Sequence, residues 1–312
     1  MKILLVNPYT PDYMTNLLFH GLINCGHDVT ELNYMDYMRV HYKDIIDRKT
    51  LYGYGFSYAF SINDDINKKA IDKSIIPDQI AEHYFDIVIY SHINNENAYI
   101  DLVLEKYNLG EIFIIDGADT GDYNEVLVKR RPNNILYFKR EYVYGNEIYD
   151  TNYRVFPISY AFPKEKFQSK TNTKNQLIIN DCSYGAYWIM KKQKYVCETE
   201  QDYYNRYNDT AFALTCAKGG YDCMRHYEII ASYCLPVFID FNKMPRGCMF
   251  GWPSEYQFRA NSMYFDFAYF RNSIKDSLKF STKYFQLLDN FYDYAYNNLT
   301  TEHLANYVLS FC

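Results

Sequence analysis

The sequence predicts an α/β protein of two doubly wound domains, and three observations carry that expectation. The first half alternates short apolar runs with helical patterns, as parallel strands joined by crossover helices do. The same alternation resumes near residue 176. At 312 residues, 48% hydrophobic and 22% charged, the chain has the length and balance for two folded domains with a large core.

Lys2–Val6 reads as a first strand, Tyr13–Cys25 as a helix ended by Gly26, and Asp28–Leu32 as a second strand. In such a β-α-β start the loop Asn7–Asp12 lines the ligand edge of the sheet. It lacks the G-x-G-x-x-G fingerprint, which weakens an NAD-type reading. Residues 39–75 are polar and tyrosine-rich, and read as an insertion or helical excursion. Phe85–Tyr90 and Glu111–Ile115 are strands joined by a helix over Asn95–Tyr107, and Ile135–Lys139 is the next strand. Their ends place His92, Asp116 and Asp119 on one sheet edge as candidate general bases, Asp119 first. Asp-Gly segments also cap turns, a second reading for Asp116 and Asp119. The chain crosses to its second domain within 145–165.

There Gln176–Asn180 reads as a strand, Tyr184–Lys192 as a helix, Tyr195–Cys197 as a short strand and Gln201–Asn208 as a helix. Residues 271–312 look helical, with Tyr284–Tyr296 and Thr301–Phe311 amphipathic. Between them lies the most informative stretch, 212–240. An apolar run, Phe212–Thr215, precedes a Gly219-Gly220 loop carrying Lys218. Asp222 stands where a helix N-cap belongs, a helix runs to about Tyr233, and Leu235–Asp240 is a further strand. Cys223, Met224, Tyr227, Ile230 and Ala231 share one helix face; Asp222, Arg225, His226 and Glu228 share the other. Unpaired N–H groups at a helix start suit an anion such as a diphosphate, and Lys218 and Arg225 add charge there. Glu228 is placed to accept from sugar hydroxyls. The pattern equally fits a β-α-β unit whose solvated helix face carries charges.

The net charge of −6 argues against broad nucleic-acid binding, which rests on basic surfaces. Lys129–Arg131 reads as a solvated loop, whereas Lys139 and Arg140, at a strand end, are placed to face a ligand. Eight cysteines without a C-x-x-C pair read as buried reduced thiols. MKILLVNP is too short for a signal-peptide core, and no apolar run approaches about 20 residues, so a cytoplasmic protein without a membrane span is expected. The 36 tyrosines fit either sugar-gripping surfaces or compositional drift in an AT-rich genome.

G-x-D-C-x-R-x-x-E over Gly220–Glu228, followed by A-x-x-C-x-P-V-F over Ala231–Phe238, resembles the donor-binding segment of GT-B glycosyltransferases. The likeness is to a bacterial and viral group with a DCxRxxE signature. Tyr137–Glu141 is similar to an F-K-R-E segment of that group, Phe156-Pro157-Ile158 to its P-I stretch, and Met244-Pro245 through Trp252-Pro253, ahead of Glu255, to its downstream P…WP segment. Tyr233 stands where many members carry glycine, and Asp181–Gly185 replaces a Gly-rich turn.

The resemblance implies two Rossmann-like domains facing a cleft. It divides the chain into an acceptor-side domain 1–155, a donor domain 156–290, and a C-terminal helix 291–312 returning to the first domain. It assigns Lys218, Gly219, Gly220, Asp222, Arg225 and Glu228, with Lys139 and Arg140, to a nucleotide-sugar donor. Glycosyl transfer to a glycan or other hydroxyl acceptor follows. The absence of a D-x-D triplet and the spacing of Asp116, Asp119 and Asp122 imply no metal, and no cofactor is expected. Two alternatives stay open: modification of nucleic-acid bases, and a non-catalytic sugar-nucleotide-binding protein of the same fold.

Overall fold

The computed structural model describes residues 1–63, 72–91, 98–121, 135–143, 154–180, 197–270 and 282–312. The chain divides into two compact units. The first comprises Met1–Pro163, Pro245–Phe250 and Thr301–Cys312; the second comprises Lys164–Met244 and Gly251–Thr300. Both are α/β, and each has a parallel sheet.

Six strands form the first sheet: β1 (Lys2–Val6), β2 (Asp28–Glu31), β3 (Ile87–Ser91), β4 (Ile112–Asp116), β5 (Leu136–Lys139) and β6 (Arg154–Pro157). Their order is β2-β1-β3-β4-β5-β6, every neighbouring pair parallel. β3 and β4 are buried at every position, the continuous apolar run of a strand covered on both faces. Helix α1 (Tyr13–Asn24) begins at Asp12, whose carboxylate accepts from Thr15 N (2.9 Å), and ends before Gly26, which takes the left-handed φ of +81°. Two short helices follow, α2 (Ile76–Ala81) and α3 (Ile100–Lys106). The start expected for the latter at Asn95 lies outside the described residues.

The excursion at 39–63 is built of single 3-10 turns rather than one helix, with left-handed backbone at Tyr54, Ser57 and Phe60. Arg48 orders it: its guanidinium donates to Tyr54 O (3.1 Å) and lies over the rings of Phe56 and Phe60.

The second unit holds β7 (Gln176–Asn180), β8 (Thr210–Thr215) and β9 (Leu235–Phe238), parallel and in that order. Around them lie α4 (Glu200–Asn208), α5 (Met224–Ala231), α6 (Ser254–Phe270) and α7 (Thr282–Asn298). The helix expected at Tyr184–Lys192, most of the strand at Tyr195–Cys197, and Asp181–Gly185 lie outside the described residues. Lys174 is buried, donating to the carbonyls of Asn208 (2.7 Å) and Tyr233, so one cation meets the C-terminal ends of α4 and α5. Burial pushes its pKa down to about 8.

Tyr233 follows α5 with φ +55°, the geometry a helix-ending glycine adopts without strain. Its side chain offsets that cost. The hydroxyl donates to Asp289 (2.8 Å), and the ring packs edge-on against Tyr292 at 5.3 Å.

The units divide at Pro163, within the 145–165 crossing expected but beyond the 1–155 bound. The first unit runs on to Pro163 because Ile158, Ala161 and Phe162 are buried and Ile158 N donates to Lys139 O (3.0 Å). The return to it begins at Thr301, not 291, since α7 belongs to the second unit. Helix α8 (Thr301–Leu309) packs on α1, where Met14 through Ile23 are all buried. A Cβ at Gly21 would stand 1.9 Å from the carbonyl oxygen of Thr301. Gly21→Ala gains about 1 kcal/mol of helix propensity, but overpacking costs about 1–3 kcal/mol, and here backbone must move. Net destabilisation is therefore expected in urea unfolding followed by circular dichroism; an unchanged midpoint would contradict this packing.

Candidate functional site

In the second unit the connection from β8 to α5 carries the expected donor residues. Lys218 and Gly219 are exposed, Gly220 is buried, and Lys218 N closes the turn onto Gly220 O (3.0 Å). The Lys218 ammonium sits on an exposed residue yet loses hydration, which lowers its pKa; the neighbouring charge of Arg225 lowers it further, and Glu228 opposes. The charges of Arg225 and Glu228 thus both reach Lys218. Arg225 is half-buried.

One expectation for this helix is corrected. Asp222 is not the N-cap: the helix starts after Cys223, and the buried Asp222 carboxylate accepts from Tyr227 OH (2.8 Å). That bond ties α5 to the loop before it. The alternative of a solvated polar face is not met at His226 and Glu228, which are buried, at 0% and 5% exposure.

His226 bridges the two ends of the loop. Nε2 lies 3.0 Å from Tyr221 O and so carries the proton, while Nδ1, 3.0 Å from Thr215 Oγ1, accepts. The ring stacks on Phe238 at 4.3 Å. Glu228 accepts from Tyr203 OH (2.7 Å), which in turn accepts from Tyr207 OH (3.2 Å). Burial, then the Glu228 charge, pushes the Tyr203 hydroxyl far above its ordinary pKa, so it stays a donor. Sequence reading missed Tyr203 and Tyr207; their i, i+4 spacing on α4 was the available signal. Trp252 packs edge-on against Tyr227 (5.1 Å), and Glu255 pairs with Arg259 at the start of α6.

In the first unit the ends of β4 and β5 meet in a buried charge network. Asp116 accepts from Lys139 Nζ (3.0 Å), Tyr137 OH and Ala118 N (2.9 Å). Arg140 donates to Gly117 O (2.9 Å), Glu141 (2.9 Å) and Asp119. Lys139 and Arg140 are both 0% exposed, so neither faces a ligand as expected; each is spent on a carboxylate of its own unit. Asp116, 2% exposed, likewise braces the turn through its bond from Ala118 N. Asp119 is different: its side chain is 61% exposed and its position is held by Arg140. His92, Asp122 and Lys129–Arg131 lie outside the described residues. Among the described residues no cluster of three or more His, Cys, Asp or Glu side chains is placed to hold a metal, and no helix is long and apolar enough to cross a membrane.

No protein-family model matches this chain, and no curated protein matches it. Among solved structures, a glycosyltransferase from Rickettsia africae is similar, with TM-score 0.51 and 10% identity over 99% of this chain and 97% of that one. An alpha-glucosyltransferase, solved with UDP-glucose and DNA containing an abasic site, has TM-score 0.47 and 10% identity over 99% and 98%. The first likeness is one of fold: two Rossmann-like α/β units.

His226 makes the site acid-sensitive. Its folded pKa is depressed to about 3 by burial, against the usual 6.5. Between these values the unfolded chain binds a proton that the folded chain does not, so stability is full above about pH 6.5 and falls as pH drops toward 3. A loss of about 2 kcal/mol by pH 5 is expected, and His226→Gln should flatten that slope in denaturant titrations.

Proposed function

We propose that this chain is a glycosyltransferase that takes its sugar from a nucleotide diphosphate donor bound at the β8–α5 loop. The feature that supports the reading is placement: Lys218, Gly219 and Gly220 stand in the loop before α5, and Arg225 and Glu228 on that helix, where the Arg225 charge adds to the lost hydration that lowers the Lys218 pKa. Two like charges held together repel, and a diphosphate between them relieves that repulsion. The Gly219 and Gly220 amides and the helix dipole add to the same field. As the C–O bond to the sugar breaks, charge grows on the leaving diphosphate, where fixed cations stabilise the transition state without a metal. A carboxylate accepts up to about four hydrogen bonds, so Glu228 holds a sugar hydroxyl while its Oε2 keeps the bond from Tyr203. Tyr203 thereby sets the carboxylate's orientation, and His226 the loop's conformation.

Asp119 takes the proton of the attacking hydroxyl. Its exposure gives an acceptor access, and Arg140 keeps it from swinging away. Similarity of fold to a glycosyltransferase supports the class.

The test is a thermal-shift panel of UDP, GDP, ADP and their sugar conjugates. A diphosphate at a hundredfold excess over its Kd should stabilise the wild type by about 2.7 kcal/mol. Arg225→Ala and Glu228→Ala should lose that response; variants that respond like wild type would refute the donor site. Asp119→Asn should keep the response and lose about 10²–10⁴-fold in turnover, read as diphosphate release with acceptor present.

A further inference from the structure

Helix α6 in the second unit turns amides inward and phenylalanines outward. Among the described strands β9 lies at the edge of its sheet, and α6 covers that edge with polar side chains. Asn261 accepts from Phe238 N (3.1 Å) and donates to Phe238 O (2.9 Å), as a neighbouring strand would, and Gln257 donates to Pro236 O (2.8 Å). Gln257 and Ala260 are fully buried. The opposite side of the helix carries Phe258 and Phe265, 54% and 57% exposed, together with Arg259, Ser262 and Asp266, also exposed. An ordinary surface helix has the reverse arrangement, its apolar stripe facing the core.

The outward face is complementary to itself. Phe258 and Phe265 lie two helical turns apart, as do Arg259 and Asp266, and both pairs straddle Ser262. At about 100° per residue the phenylalanines occupy one flank of Ser262 and the charged pair the other. A twofold axis crossing the helix at Ser262 sets a second α6 antiparallel to the first. It brings Phe258 opposite the second copy's Phe265 on one flank, and Arg259 opposite the second copy's Asp266 on the other. Each contact occurs twice, which is the property of a closed dimer interface. A bilayer is a poorer match. Helices that lie on membranes carry Lys and Arg beside their apolar side, whereas here Glu255 and Asp266 outnumber Arg259.

We propose that this face of α6 binds a second copy of the chain, the two helices packing antiparallel about Ser262. The proposal goes beyond the glycosyl-transfer reading and does not depend on it, since it uses no residue of the β8–α5 loop. Stable complexes bury about 1,200–2,000 Å²; one helix face supplies less, so the dimer dissociates on dilution.

Sedimentation equilibrium of the full chain tests it and should show monomer and dimer in exchange. Phe258→Asp should abolish the dimer. Arg259→Asp and Asp266→Arg should each raise its Kd about tenfold by setting like charges opposite, and the two together should restore the wild-type value. All three positions are exposed, so the fold is retained, which circular dichroism checks. A chain that stays monomeric up to about 1 mM, a Phe258→Asp variant that dimerises like wild type, or a double exchange as weak as either single change overturns the proposal. Flotation of a monomeric chain with phosphatidylserine vesicles, lost in Phe258→Asp, overturns it in favour of a membrane surface.

Discussion

All the described strand pairs run parallel, and that polarity governs where chemistry can stand. A parallel strand must return by a crossover, so the turns leaving the carboxyl ends of neighbouring strands collect on one edge. In the second unit this edge presents the 216–223 loop; in the first it presents Asp12, Gly117–Asp119 and Arg140 together. Such loops hold many backbone polar groups that need partners. The fold supplies them from buried side chains: His226 on Tyr221 O, Arg140 on Gly117 O, and Asp116 on Ala118 N.

Those same buried groups divide the charged residues into two kinds. A buried ion pair is weak evidence for stability, but removing one partner leaves a costly naked charge. Lys139 with Asp116, and Arg140 with Asp119 and Glu141, are of this first kind: their charge is consumed internally, and they fix loop geometry. Lys218 is of the second kind: it lies on an exposed residue, and lost hydration, then the neighbouring Arg225 charge, lower its pKa while Glu228 opposes.

Tyrosine gains a structural meaning beyond its frequency. Tyr284, Tyr292, Tyr294 and Tyr307 each donate a hydroxyl to a main-chain carbonyl of their own unit, at 2.7–2.9 Å. Their rings fill core while their tips close backbone accounts, a combination phenylalanine cannot make.

Much of the architecture was legible in the residues. Gln176–Asn180 and the strand ending at Thr215 announce themselves as short apolar runs between turn residues, and Tyr13–Asn24 as a capped helix, because local sterics and burial period act within a few residues. The loop-helix device around Lys218 was legible for the same reason. Periodicity says which side chains share a helix face, but not whether another element covers that face. So the sequence left open whether His226 and Glu228 lie on a solvated face, and Phe238 and Tyr203 are found against them. Lys139 and Arg140 read as ligand groups because nothing near them in the chain reveals Asp116 and Asp119, 21 to 23 residues away. Local order came from the sequence by itself; the partner of each buried charge came only from the tertiary structure, since electrostatic neutralisation depends on distance in space and not along the chain.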